Sequence, residues 1–135
     1  MPVMQSNTPT SVFVVDDSDS IRERLVAMLG SMDAVTVVGQ ATCADCAIAG
    51  IRETRPDSVL LDLNLKGSNG MHVLSLLHKE MPSVEFVVLT NHSEPQYRRA
   101  CEKAGARYFL DKSIEFDNVR HVIAEIAAHK PHGRA

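Results

Sequence analysis

Three aspartates, a threonine and a lysine stand where apolar runs of the chain stop. Val-Phe-Val-Val at 12–15 runs into Asp16-Asp17, Ser-Val-Leu-Leu at 58–61 into Asp62, and Val-Glu-Phe-Val-Val-Leu at 84–89 into Thr90. Arg-Tyr-Phe-Leu at 107–110 ends just before Lys112. If these runs are strands of one sheet, their ends form one rim carrying three carboxylates, a hydroxyl and an ammonium. Three clustered carboxylates repel, and stay ionised together only with a cation among them. An all-oxygen set suits Mg²⁺, which keeps several waters and is held by one or two carboxylates. A carboxylate can also act as a nucleophile and become an acyl phosphate, with an ammonium and a hydroxyl holding phosphoryl oxygens by charge and hydrogen bond. The set therefore suits phosphoryl transfer to an aspartate. Any one of these aspartates alone would be read as a turn former or helix cap. Their recurrence at the same end of different strands separates them from that reading, and leaves Asp57, at the start of a run, outside the set.

The elements that must position them alternate. A further apolar run, Val-Thr-Val-Val at 35–38, makes five strands, several nearly continuous, as strands buried on both faces are. Helical stripes lie between and after them: Ile21, Leu25, Met28 and Leu29; Ala44, Ala47, Ile48 and Ile51; Leu74, Leu77 and Met81; Tyr97, Ala100, Cys101 and Ala104; Phe116, Val119, Ile123 and Ile126. The fourth stripe has no large aliphatic side chain. Each such side chain stabilises by about 1.5–3 kcal/mol when buried, so the fourth helix is expected to be the most weakly docked. Pro131 marks the expected end of the fifth. The result is (βα)5, an α/β fold with a parallel sheet covered on both faces, whose chemistry belongs at the carboxyl ends of the strands.

The chain's 135 residues suit one domain, expected at 11–130 between a loose leader (1–10) and a short tail (131–135). Apolar content of 44% and charged content of 23% are those of a globular chain. A net charge of −3 does not suit a nucleic-acid binder. Three cysteines imply no disulfide framework. No apolar run approaches the roughly 18 residues of a membrane span, and the first eleven residues lack the basic and apolar parts of a secretory signal. A cytoplasmic, soluble protein is expected.

Four segments in order carry a family resemblance: Val-Val-Asp-Asp-Ser at 14–18, Leu-Leu-Asp-Leu-Asn-Leu at 60–65 with Gly70 following, Val-Val-Leu-Thr at 87–90, and Ala-Gly-Ala-Arg-Tyr-Phe-Leu-Asp-Lys at 104–112. Together they resemble the receiver domain of two-component response regulators. The resemblance implies a doubly wound, flavodoxin-like sheet of order 2-1-3-4-5. It implies that Asp62 accepts the phosphoryl group from a histidine kinase or histidine phosphotransfer protein. Mg²⁺ would be bound by Asp17, Asp62 and the Asn64 backbone carbonyl, with Asp16 acting mainly through a metal-bound water. Lys112 would contact the phosphoryl group, Thr90 would move toward it, and Phe109 would repack inward. The signal would leave through the fourth helix, fifth strand and fifth helix. With the chain ending soon after that helix, a stand-alone signalling domain is expected, neither an enzyme acting on other molecules nor a DNA binder.

Departures and rivals mark out what the structure must decide. The family usually has proline after the lysine, with a cis bond; here it is Ser113, and a trans Lys112–Ser113 bond with a rearranged loop is expected. Asn91 is larger than the residue usual after the threonine, and Asn64 and His92 occupy positions that tune dephosphorylation in receivers. Asp17-Ser18-Asp19 also reads as the D-x-D of a haloacid-dehalogenase-like phosphatase with Asp17 as nucleophile, although no acidic pair follows the lysine. Cys43-Ala-Asp-Cys46 has the spacing of a dithiol redox motif, but a plain helix start with Cys46 partly buried is the favoured reading. A degenerate receiver that binds without phosphorylation is a further alternative. The six histidines form no metal constellation, and Arg98, Arg99 and Lys103 give the fourth helix a basic face.

Overall fold

The computed structural model describes residues 8–65, 67–92 and 94–129. In chain order these form β1 (Thr10–Val15), α1 (Asp19–Gly30), β2 (Val35–Ala41), α2 (Ala44–Thr54), β3 (Ser58–Leu61), β4 (Asn64–Leu65), β5 (Ser68–Asn69), α3 (Gly70–Glu80), β6 (Glu85–Thr90), α4 (Pro95–Ala104), β7 (Ala106–Asp111) and α5 (Asn118–Ala128). Five strands pair in parallel in the order β2-β1-β3-β6-β7. That is the expected order 2-1-3-4-5 once β4 and β5 are set aside. These two short strands pair antiparallel as a hairpin directly after Asp62, an element the sequence reading lacked.

Thr10 departs from the leader expected at 1–10: it opens β1, is buried, and donates its N–H to the Ala34 carbonyl. Residues 1–7, Pro131 and the tail lie outside the described residues. The fifth helix ends at Ala128, with His129 as its cap.

The near-continuous apolar strands do have two buried faces. Phe13, Val15, Val59, Leu61, Phe86, Val88 and Phe109 face the layer that contains α2 and α3. Val12, Val14, Leu60, Val87, Leu89 and Leu110 face α1 and α5. The period-two alternation of a pleated strand produces this division. Helix α4 buries only Cys101, and Tyr97 is exposed. It starts with Pro95 and no side-chain cap bond, and it buries fewer side chains than any of the other four helices, as its small-residue stripe implies. It ends on Gly105 at φ +116°, where the His78 ring leaves no room for a Cβ. Among the described residues no helix is long and apolar enough to cross a membrane.

At the amino end of the sheet Asp57 ties β1 to β3. Its carboxylate accepts the Ser11 N–H at 2.8 Å and hydroxyl at 3.2 Å, while its own N–H donates to the Ser11 hydroxyl at 2.9 Å. Asp57, which lies outside the rim, thus serves a structural role.

Phe13 lies between Gly39 of β2 and Gly50 of α2. A Cβ on Gly50 would stand 2.5 Å from the ring's Cζ and 2.8 Å from Cε2. Gly50→Ala would normally gain about 0.5–1 kcal/mol inside a helix, but overpacking a core costs about 1–3 kcal/mol. The expected outcome in urea denaturation is a net loss of stability, recovered when Phe13→Leu is added.

Candidate functional site

The site forms where β1, β3, β6 and β7 end side by side. Asp62 N–H donates to the Val15 carbonyl at 3.0 Å, and Lys112 N–H donates to the Thr90 carbonyl at 2.8 Å. Backbone pairing therefore continues past the strands into the functional residues and holds them in register. Asp16 is almost fully buried. Its Oδ1 accepts the Ser18 N–H at 2.9 Å, and its carbonyl accepts Arg22 Nη1 at 2.9 Å. Asp62 is also buried, its Oδ1 accepting the Asn64 N–H at 3.1 Å. Gly70 lets α3 begin tight against this loop, because a Cβ there would strike the Asp62 carbonyl and Leu63 Cα.

Lys112 joins the two buried carboxylates. Its Nζ lies 2.9 Å from Asp16 Oδ2 and 3.2 Å from Asp62 Oδ2. Burial disfavours the Lys112 charge, but the two carboxylates outweigh it and raise the ammonium's pKa above its ordinary value. Burial pushes the Asp62 carboxyl above the usual aspartate range, more than Lys112 and the Asn64 N–H bring it down; Asp16 adds to the rise.

Asp16, Asp17 and Asp62 each present an oxygen, all within 4.8 Å of one another. A cleft of about 430 Å³ opens beside them, lined by Asp17, Ser18, Ile21, Asp62, Asn64, Asn91, Lys112 and Ser113. Three carboxylates against one ammonium leave an excess of two negative charges, and the donors are all oxygen. This chemistry fits a hard divalent cation such as Mg²⁺.

Two expected participants lie elsewhere. Thr90 is fully buried, and its Oγ1 accepts the His92 N–H at 3.2 Å and does not line the cleft. Phe109 is already inside: it is buried in the core, with the Arg98 guanidinium 4.8 Å from its ring centre. The inward repacking expected of it has no outward starting point here, because its alternation along β7 already turns it to the core. His92 and Asn91 are exposed, with the His92 ring 5.7 Å from that of Tyr97.

The described peptide bonds include no cis bond, as expected at Lys112–Ser113. Sequence reading missed what holds that loop. Asp111 Oδ1 accepts the Ser113 N–H at 2.9 Å and hydroxyl at 2.7 Å, and Glu115 Oε1 accepts the Asp111 N–H at 2.9 Å. The signal was present, since an aspartate two residues before a serine is an Asx turn in sequence. Ser18 and Arg22 were also missed as supports of Asp16.

The phosphatase rival does not assemble. Asp19, the second acid of D-x-D, is exposed on α1 and pairs with Arg22 at 2.6 Å. Cys43 is half-buried, but Cys46 is exposed, which corrects the expectation of partial burial: its position in the first turn of α2 points outward.

The family model described as the response regulator receiver domain matches residues 12–124. The chain is similar to the response regulator GacA of Pseudomonas aeruginosa, 31% identical over 117 residues that make up 87% of this chain and 55% of GacA. It is 30% identical to the DNA-binding transcriptional activator DevR/DosR of Mycobacterium tuberculosis, over 87% of this chain and 54% of that protein. The chain thus spans about half the length of these curated relatives. Among solved structures, the signal receiver domain of the putative response regulator NarL from Mycobacterium tuberculosis superposes with a TM-score of 0.83 at 26% identity, covering 91% of this chain and 99% of that one. The response regulator domain of Thermotoga maritima CheB gives 0.78 at 25% identity, over 91% and 99%.

In metal-free protein the Asp62 carboxyl should titrate above the ordinary aspartate value of about 3.9. Replacing Lys112 by Met removes a neighbour that favours the ionised form, so the Asp62 titration should move higher still. Carboxyl-carbon NMR reads both, and a titration that fell on loss of Lys112 would contradict the charge balance described.

Proposed function

The chain belongs to the response regulator receiver family, and we propose that it is a phosphorylation-driven switch with Asp62 as the acceptor. The observation that carries this reading is the Asp62 carboxylate beside the cleft, bound to Lys112 and within 4.8 Å of both other acidic oxygens.

In this reading an Asp62 oxygen attacks phosphorus in the phosphohistidine of a histidine kinase or phosphotransfer protein. A P–O bond forms, the P–N bond breaks, and imidazole leaves. Lys112 offers its ammonium to a phosphoryl oxygen in place of the Asp62 carboxylate it holds at rest. Asp17, Asp62 and the Asn64 carbonyl would hold Mg²⁺, with Asp16 behind them. When bound, the ion supplies positive charge against the developing phosphoryl oxygens. Asn91 flanks the space through which the donor and, later, the hydrolytic water must pass.

The new charge then draws the Thr90 hydroxyl from the His92 N–H. That amide lies at the entry to α4, the helix with the fewest buried side chains. Elements with few buried contacts are those a local charge change can shift. The output face in this reading is α4, β7 and α5, with Arg98, Arg99 and Lys103 presenting positive charge to a protein partner. In this phosphoryl chemistry Asp62 accepts the group and loses it again.

Wild-type protein given Mg²⁺ and a small phosphodonor should gain one phosphoryl group, mapped to Asp62 by mass spectrometry. Asp62→Ala should gain none, and Lys112→Met should slow the gain by about 10²-fold, as loss of one charge-stabilising donor typically does. Phosphate recovered on Asp17 would favour the phosphatase chemistry instead.

A further inference from the structure

Cys43 and Cys46 have no task in the phosphoryl chemistry, yet they are built together. Cys43 is the N-cap of α2, and its Sγ accepts the Cys46 N–H at 3.3 Å. The two sulfurs are in contact, 2.6 Å apart, and Cys46 is open to solvent. The i, i+3 spacing places both on the first helical turn, where side chains of that separation meet. Helix α2 begins just beyond the carboxyl end of β2, so the pair stands on the same edge of the sheet as the acidic cleft. The Ala44 N–H between them donates to the Ser68 hydroxyl of β5 at 3.1 Å, in the hairpin that follows Asp62.

The environment divides the two thiols. The Cys46 thiol and N–H stabilise negative charge on Cys43 and hold its pKa below the ordinary thiol range. The same partnership pushes Cys46 up. A thiolate at a helix N-terminus is the arrangement that makes a cysteine nucleophilic. Cys101 is the contrast: buried under α4, its thiol is pushed up to about 11. A closed zinc site is not an alternative, since it needs four ligands, and the metal-ligand cluster among the described residues is the acidic one.

We propose that Cys43 and Cys46 form a thiol–disulfide exchange site whose substrate is a small-molecule disulfide. The Cys43 thiolate attacks one sulfur of that disulfide; an S–S bond forms to Cys43 and the other half leaves as a thiolate. Cys46 then loses its proton and attacks Cys43 Sγ, forming the intramolecular disulfide and expelling the second thiolate. The two protons of the cysteines end on the two departing thiols. The protein pair is oxidised by two electrons and the small disulfide is reduced by two.

The test holds the full chain in excess oxidised glutathione, quenches by alkylation and reads the masses. Wild type should lose two alkylatable thiols and carry no glutathione, while Cys101 is alkylated after unfolding; dithiothreitol should restore both. Cys46→Ser should stop with one glutathione on Cys43, and should react several-fold faster than Cys43→Ser. Persistent glutathione adducts on wild type, or two thiols that stay alkylatable, would overturn the site. A faster Cys43→Ser variant would overturn Cys43 as the attacking sulfur. Each readout is independent of whether Asp62 takes up phosphate.

Discussion

The ammonium of Lys112 is what allows two buried carboxylates to occupy the same strand-end rim. Asp16 and Asp62 are both nearly inaccessible, and a buried charge without a partner is costly enough that it neutralises or unfolds its surroundings. Lys112 reaches both within hydrogen-bond distance. It leaves the pocket still short of positive charge, because Asp17 adds a third carboxylate. A pocket with fully matched charge would attract neither a divalent cation nor a phosphoryl group. One left wholly unmatched would not fold with three ionised acids.

That balance rests on the sheet. Asp16 and Asp62 follow adjacent strands, and Lys112 follows the edge strand β7, two places from β3. The parallel pairing sets their spacing, and backbone bonds beyond the last paired residues carry the register into the loops. The hairpin of β4 and β5 and the close approach of Gly70 fix the far side of the Asp62 loop. The lysine loop is fixed differently, by Asp111 gripping Ser113. Polar side-chain bonds thus hold the chain as it turns away from the lysine.

Opposite this rigidity stands α4. One buried cysteine, an uncapped start and an exposed tyrosine give it little hold on the sheet. Arg98 spans the gap, stacking on Phe109 and donating to the Phe109 carbonyl at 3.4 Å. The cleft is thus held by charge and backbone pairing, while α4 meets the core through small side chains, Cys101 and Ala104, with the Arg98 guanidinium on Phe109.

Much was legible in the amino-acid order alone. Apolar runs and helical stripes determine (βα)5, because burial on two faces demands continuous strands and one-sided helices. Asp16, Asp17, Asp62 and Lys112 are legible as a joint site because parallel topology sends every strand's carboxyl end to the same rim. The small side chains of the fourth stripe announce a loose helix. What required the folded chain were matters of direction and distance. Whether Thr90 faces the cleft or a backbone amide, whether Phe109 starts inside or outside, and whether Cys46 is covered depend on rotamers and neighbours from distant segments. The grip of Asp111 on Ser113 and of Arg22 on the Asp16 carbonyl are likewise side-chain bonds, which periodicity does not encode. Sequence spacing states which face of an element a residue occupies; only packing against the rest of the molecule decides what that face meets.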